Sequence, residues 1–238
     1  MASSADPALA DRATPPPSDP DGDDALGRRE SKKRETRARI HRAAVELALE
    51  RGTERVTAED VAAAADISPR TFFNYFATKE DAFVGSDPGI AERLLTAVVE
   101  RPAAETPSEA VRAVVAAHVA TLESDTQLWR RRRELAAREP ALALRLAGTT
   151  DAVERALVEA ALTRSGADRA TDLGPALAAH LAMAAVRAAV GQHVASGFEG
   201  SLSQRLTTAF AAVDAGAAGA AGAGGAAGDP VRDARSER

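Results

Sequence analysis

Residues 57–76, TAEDVAAAADISPRTFFNYF, leave the chain little conformational choice. Thr57 stands where a helix N-cap belongs, and Asp60, three positions on, completes the reciprocal capping pattern. Val61, Ala64 and Ala65 give this first short helix a small apolar face. Ser68 caps a second helix, with Pro69 at its first position, where a missing N–H loses no bond. From there Pro69, Phe72, Phe73 and Phe76 recur at i, i+3, i+4 and i+7, which predicts one buried side. Arg70, Thr71, Asn74 and Tyr75 fall on the other side. That side donates hydrogen bonds, is positive at its start and carries no carboxylate. Two short helices with a tight turn between them, the second so faced, suit the major groove of duplex DNA. There Arg and Asn find base-edge partners and hydroxyls find phosphates.

The flanks sharpen this reading. An amphipathic helix ends in Arg51-Gly52, Gly52 being a C-cap signal. Then come Thr57-Ala58-Glu59-Asp60-Val61-Ala62, Ile67-Ser68, Thr71-Phe72-Phe73-Asn74-Tyr75-Phe76 and Lys79-Glu80. In order and spacing, residues 33–84 resemble the N-terminal domain of TetR-type transcriptional regulators. The resemblance implies an all-α chain: an N-terminal three-helix helix-turn-helix DNA-binding domain and a C-terminal helical domain for ligand binding and dimerisation. It also implies base contacts from Arg70, Thr71 and Asn74, and phosphate contacts from Thr57, Tyr75 and Lys79. Phe73 completes that DNA-binding set, but the family often has Tyr there, and Gly where Arg70 stands. A hydroxyl contact is therefore not expected of Phe73.

The net charge of −5 looks wrong for a DNA binder, but the binding surface responds to local charge. Residues 28–42 hold Arg28, Arg29, Lys32, Lys33, Arg34, Arg37, Arg39 and Arg42 against Glu30 and Glu35, a balance of +6 directly before the helix-turn-helix. This basic arm can neutralise phosphates or enter a minor groove, with Lys33 and Arg34 as the residues expected on DNA; otherwise it is a soluble helix start. There is no Cys, hence no disulfide frame, thiolate or Cys-bound metal. No phosphate-binding Gly loop, His pair at i, i+4 or Gly-x-Ser-x-Gly occurs, so neither catalysis nor a cofactor is expected. No run of eighteen or so uninterrupted apolar residues suggests a membrane span. Asp6, Asp11 and a Pro cluster stand where a signal peptide needs basic then apolar residues, so a cytoplasmic protein is expected.

Composition shifts divide the chain into four. Residues 1–27 are Pro- and Asp-rich and read as a disordered acidic tail. Residues 28–85 form the DNA-binding domain, closed by the breaker cluster Gly85-Ser86-Asp87-Pro88-Gly89. Residues 86–215 read as helix after helix, and residues 216–238 as a flexible Gly/Ala-rich tail. Within the second domain, Val115, His118, Val119, Leu128, Trp129, Leu146 and Val153 are the candidate effector-pocket residues, mostly apolar. His118 lies in an apolar stripe and is either an interior histidine or a ligand group. Residues 130–133 are four arginines: either a solvated face pairing with Glu123, Glu134 and Glu139, or a run of which one enters the pocket and holds an anion. Residues 172–197 and 201–214 are Ala-dense helices that the resemblance assigns to a four-helix bundle shared by two copies. The Ala-rich second domain, with its Arg run before Pro140, is also similar to the mycofactocin-type branch, which implies acyl-CoA-like effectors.

These readings converge on a homodimeric, cytoplasmic repressor. It sits on a near-palindromic operator and is released by a small, mostly apolar effector. The competing class is a helical DNA-architectural or adaptor protein without an effector. It would show little preference between an operator and random duplex.

Overall fold

The computed structural model describes residues 20–224, with side chains for residues 28–216 other than Glu30. Among the described residues the secondary structure is helical throughout. The first unit contains α1 (Pro20–Arg51), a 3-10 turn (Thr53–Arg55), α2 (Ala58–Ala64), α3 (Pro69–Tyr75) and α4 (Lys79–Val84). The second contains α5 (Ile90–Val99), α6 (Pro107–Glu123), α7 (Thr126–Arg138), α8 (Pro140–Ser165), α9 (Gly174–Ala195) and α10 (Leu202–Gly224).

Both ends are more helical than composition suggests. α1 begins at Pro20 and continues through Asp21, Asp23 and Asp24, inside the stretch expected to be a tail. A Pro at the first position suits a helix start, where its missing N–H loses no bond. At the far end, α10 runs to Gly224 through much of the Gly/Ala stretch, alanine being the strongest helix former. The remainder of both expected tails, residues 1–19 and 225–238, lies outside the described residues.

Two cores organise the molecule. The first gathers Ile40, Ala44, Leu47 and Ala48 of α1, Val61 and Ala62 of α2, Phe72 and Phe76, and Ala82, Phe83 and Val84 of α4. α4 ends at Gly85 in the left-handed region, φ 66°. A Cβ there would lie 2.8 Å from His41 Nε2, so the position needs glycine both for its backbone and for its closeness to α1. The second core joins Leu94 and Val98 of α5, Val111, Val115 and Val119 of α6, Trp129 of α7, Leu157 and Val158 of α8, Met183 of α9, and Leu202 and Leu206 of α10.

The units are not separated cleanly at residue 85. Leu135 of α7 and Leu142 of α8 are buried in the first core, with Leu146 packed against it. Ion pairs flank this wedge: Arg42 with Asp125 at 2.6 Å, Arg131 with Glu46 at 3.0 Å and Arg145 with Asp81 at 2.9 Å. The α7–α8 elbow therefore belongs structurally to both units.

Helix ends in the second unit are closed by charged side chains. Arg164 of α8 donates from Nη1 to Arg101 O at 2.8 Å and from Nη2 to Glu105 O at 2.9 Å, gathering the carbonyls that follow α5. Glu123, at the end of α6, accepts from the Leu202 N–H at 2.8 Å and so caps α10. Its carboxyl lies below the usual range, chiefly through the hydrogen bond from the Ser203 hydroxyl.

α9 is long and apolar enough to span a membrane by length and composition. Here it packs against α8, α6 and α10. Its outer side is an apolar stripe: Leu177, Leu181, Ala184, Ala188, Gly191 and Ala195 are all exposed, at alternating four- and three-residue steps.

Candidate nucleic-acid interface and effector region

The capping logic read from the sequence is what shapes the helix-turn-helix. Thr57 Oγ1 accepts from the Asp60 N–H at 3.1 Å, and the Asp60 carboxylate accepts from the Thr57 N–H at 2.9 Å. The turn passes through Asp66 at φ 53°, a left-handed position that Asp tolerates better than most residues. Ser68 Oγ accepts from the Thr71 N–H at 3.1 Å, with Pro69 at the first position of α3. α3 is then anchored from below by Phe72, fully buried, and Phe76, 2% exposed.

One face of α3 differs from the sequence expectation. Phe73, counted with the buried stripe, is 53% exposed and meets Phe72 in a T-shaped pair, with ring centroids 5.3 Å apart. Tyr75, counted with the outer face, is half-buried against the first core. A seven-residue helix lying on one neighbouring surface buries a stripe narrower than four positions. Pro69, also counted with the buried stripe, is exposed as well; the outward set that can meet DNA is Arg70, Phe73 and Asn74, with Thr71 half-buried beside them and its hydroxyl 2.8 Å from Ser68 Oγ.

The other expected DNA contacts fall in two groups. Lys33 and Arg34 lie exposed on α1, and Thr57 is exposed at the start of α2, though its hydroxyl donates to Asp60 at 2.7 Å. Lys79 is turned inward: its Nζ donates to Thr53 O at 2.9 Å and Val56 O at 2.8 Å. The ammonium thus ties α4 to the turn before α2, with two of its three N–H bonds spent on backbone carbonyls. Arg37, seen in the sequence only as part of the basic arm, has a positioning role. Its Nη1 donates to Tyr75 O at 2.5 Å and its guanidinium sits 4.4 Å from the Phe76 ring centroid. It clamps the C-terminal end of α3 to α1.

The seven candidate pocket residues are only partly brought together. Val115, Val119 and Trp129 are buried in the second core, with Val153 against it. Trp129 stacks on the buried ring of His193, centroids 5.5 Å apart, and meets Phe198 edge-on. His118 and Leu128 are half-buried on α6 and α7. Leu146 departs from the set: it packs on the first core, and lines a groove of about 450 Å³ with Arg133 and Arg187. The elbow at Pro140 carries it past the second core.

The arginine run does not pair with the acids expected. Arg131 binds Glu46, while Glu134 takes Arg138 at 2.5 Å, Glu139 takes Thr53 at 3.1 Å and Glu123 caps α10. Arg132 turns toward the junction of the units, where burial, with Arg133 adding to it, pushes its guanidinium down to about 10. An arginine so shifted still stays charged at neutral pH. His41 lies in the same junction, its Nδ1 2.7 Å from Ala82 O. Burial, then the Arg132 charge, lowers this imidazole to about 4, so it is neutral and Nδ1 is the donor. His118 is lowered by the same two causes in the same order.

Fold and site define an all-helical transcription factor of the helix-turn-helix class, with a second helical domain packed on the first. The chain belongs to the TetR family of bacterial regulatory proteins. The model of that family matches residues 40–84, and the model of the MftR C-terminal domain matches residues 105–218. A curated relative, the HTH-type transcriptional regulator TcmR of Streptomyces glaucescens, is 32% identical over 155 residues, 63% of this chain and 69% of TcmR. Among solved structures, FadR of Thermus thermophilus, a TetR-family repressor in complex with lauroyl-CoA, is 22% identical with a TM-score of 0.43, over 85% of this chain and 99% of that one. FadR from Bacillus halodurans is 20% identical with a TM-score of 0.47, over 73% of this chain and 91% of that one.

Proposed function

We propose that this TetR-family regulator is a homodimeric repressor that reads a near-palindromic operator through α3 and leaves it when a small, mostly apolar effector binds the second unit. The observation that carries this reading is the outward set Arg70, Phe73 and Asn74 on a helix pinned by Phe72, Phe76 and Arg37. Arg70 and Asn74 have the hydrogen-bonding groups for base edges, and Phe73 an apolar surface for thymine methyl groups. Lys33 and Arg34, with Thr57 and Tyr75, supply the phosphate side, which fixes register without reading sequence. Lys79 acts there mainly by holding α4.

The apolar stripe of α9, together with exposed Thr208, Ala211 and Ala215 on α10, supports a bundle with a second copy. Small side chains at heptad-like steps let helices approach closely. Two copies would place their α3 helices in successive major grooves, about 34–36 Å apart. Val115, Val119, Trp129 and Val153 favour an apolar effector, in keeping with the acyl-CoA-like class expected from the sequence. A regulator of this kind works in the cytoplasm, where its operator is.

Selection of a random duplex pool on the purified protein, followed by gel-shift titration of the winner, tests the assignment. Binding should exceed that to random duplex by roughly 10³ or more and weaken steeply with salt. Arg70→Ala should lose about 1–3 kcal/mol on the selected duplex. Equal affinity for selected and random DNA would favour the architectural reading instead.

A further inference from the structure

Four consecutive guanidinium groups on α7 have different fates. Arg131 is held by Glu46, and Arg130 lies over the Phe198 ring at 5.7 Å. Arg133 borders an open groove with Ala147 and Arg187. Arg132 reaches the end of α4. Its hydrogen bond among the described residues is a long one, Nη1 to Val84 O at 3.4 Å, and its Nε is enclosed without a partner. No carboxylate among the described residues pairs with it. The two acids whose charges reach this region are committed elsewhere. Asp87 accepts from Arg93 and from the Gly89 N–H at 3.1 Å. Asp125 accepts from Arg42 at 2.6 Å and from the Leu128 N–H at 3.0 Å.

A half-buried guanidinium with an enclosed, unpartnered Nε and no carboxylate partner among the described residues is costly, and a native fold keeps one for a reason. Its planar fork matches a carboxylate with two parallel bonds. Burial, then the Arg132 charge, lowers the imidazole of half-buried His118 on α6, and a neutral imidazole can donate one N–H. One turn away on α7 stands Trp129, and on α6 stand Val115 and Val119, all buried and apolar.

We propose that Arg132, assisted by His118, anchors the acid head of the effector: an apolar molecule bearing a carboxylate, its body directed toward Val115, Val119 and Trp129. This rests on the effector-responsive reading above and narrows the effector to a free acid in place of a thioester such as an acyl-CoA. The anchor also has a route to the DNA-binding unit. Arg132 reaches the carbonyl of Val84, the last residue of α4, and α4 leans on α1 through His41 and Gly85. A carboxylate that draws Arg132 away from Val84 frees α4 to move relative to α1.

The test uses the full chain with 11-(dansylamino)undecanoic acid and its methyl ester, which share a body and differ in the charged head. Fluorescence titration should give the acid at least about ten-fold tighter binding than the ester. Arg132→Met should bring the two within about two-fold by weakening the acid alone, while Arg131→Met keeps the preference. Arg132→Met should also melt at or above the wild-type temperature, because it removes a half-buried charge without a carboxylate partner; a purely structural arginine would lower it. If Arg132→Met does not fold, Arg132→Lys should keep the charge, lose the fork and show a reduced preference. Equal binding of acid and ester, no binding of either, or an Arg132→Met protein that still prefers the acid would overturn the proposal. Gel shifts on the same preparations separate the two readings. Lost acid preference with intact operator binding removes this anchor alone; absent operator binding with the preference intact removes the regulator reading alone.

Discussion

Arg37 shows how far a side chain's role can lie from its place in a charge pattern. In the sequence it is one cation of a basic arm; in the fold its guanidinium holds Tyr75 O and covers the Phe76 ring. A hydrogen bond from a charged donor contributes about 1.5–3 kcal/mol. Arg37→Ala should therefore loosen α3 and weaken operator binding by about ten-fold, with the second unit intact. Amide exchange would show α3 opening faster while α8 and α9 keep their protection; unchanged exchange in α3 would exclude the clamp. His41 gives a pH signature. Its folded value near 4 is below the ordinary 6.5, so as pH falls the unfolded chain takes the proton first. Stability is then full above about pH 6.5 and lost toward pH 4, by about 2 kcal/mol between pH 7 and 5. Urea unfolding of the wild type and His41→Asn at both pH values checks this: the variant should lose less, and parallel losses would refute it. At this scale the caps were legible, because Thr57, Asp60 and Ser68 act on their own backbone neighbours. Phe73, Tyr75 and Lys79 were not, because their surroundings come from elements distant in sequence.

Among the elements, the α7–α8 elbow is where hydrophobic periodicity stops short. The spacing of Leu128, Leu135, Leu142 and Leu146 announces amphipathic helices but not which core receives them. Pro140 turns the chain so that Leu135 and Leu142 leave the second core and enter the first. That gives the second unit a direct grip on the helix-turn-helix, which ion pairs at the surface could not provide alone. Leu142→Ala, at 4% exposure, should cost about 2–5 kcal/mol through the cavity it leaves. The loss should appear in the first unit although the substitution lies on α8: amides of α1 and α4 should exchange faster than those of α9. Faster exchange confined to α8 and α9 would mean that the elbow does not support the first core.

For the whole molecule, the decisive surface is one a single chain leaves uncovered. α9 exposes Leu177 at 45% and Leu181 at 38%, followed by alanines and a glycine along the same stripe. Its low charge was visible in the sequence, as was the division into a basic first unit and an Ala-dense second one. The stripe itself was not, since it exists only once α6, α8 and α10 have covered the remaining sides. An uncovered apolar stripe with coiled-coil spacing favours a second copy, and in the proposed two-fold pair each α3 would read one half of the operator. Glutamate at both leucines, Leu177→Glu with Leu181→Glu, places like charges across the two-fold axis and should yield a folded monomer. Sedimentation velocity should show wild type at twice the monomer mass and the variant at one. Affinity for a duplex with two half-sites should fall by two or more orders of magnitude, since linked binding of the second half is lost. Affinity for an isolated half-site should change little, because α3 and its supports are untouched. A variant that stays dimeric would move the interface away from α9. A monomer with undiminished two-site affinity would show that pairing across this stripe is not what aligns the recognition helices.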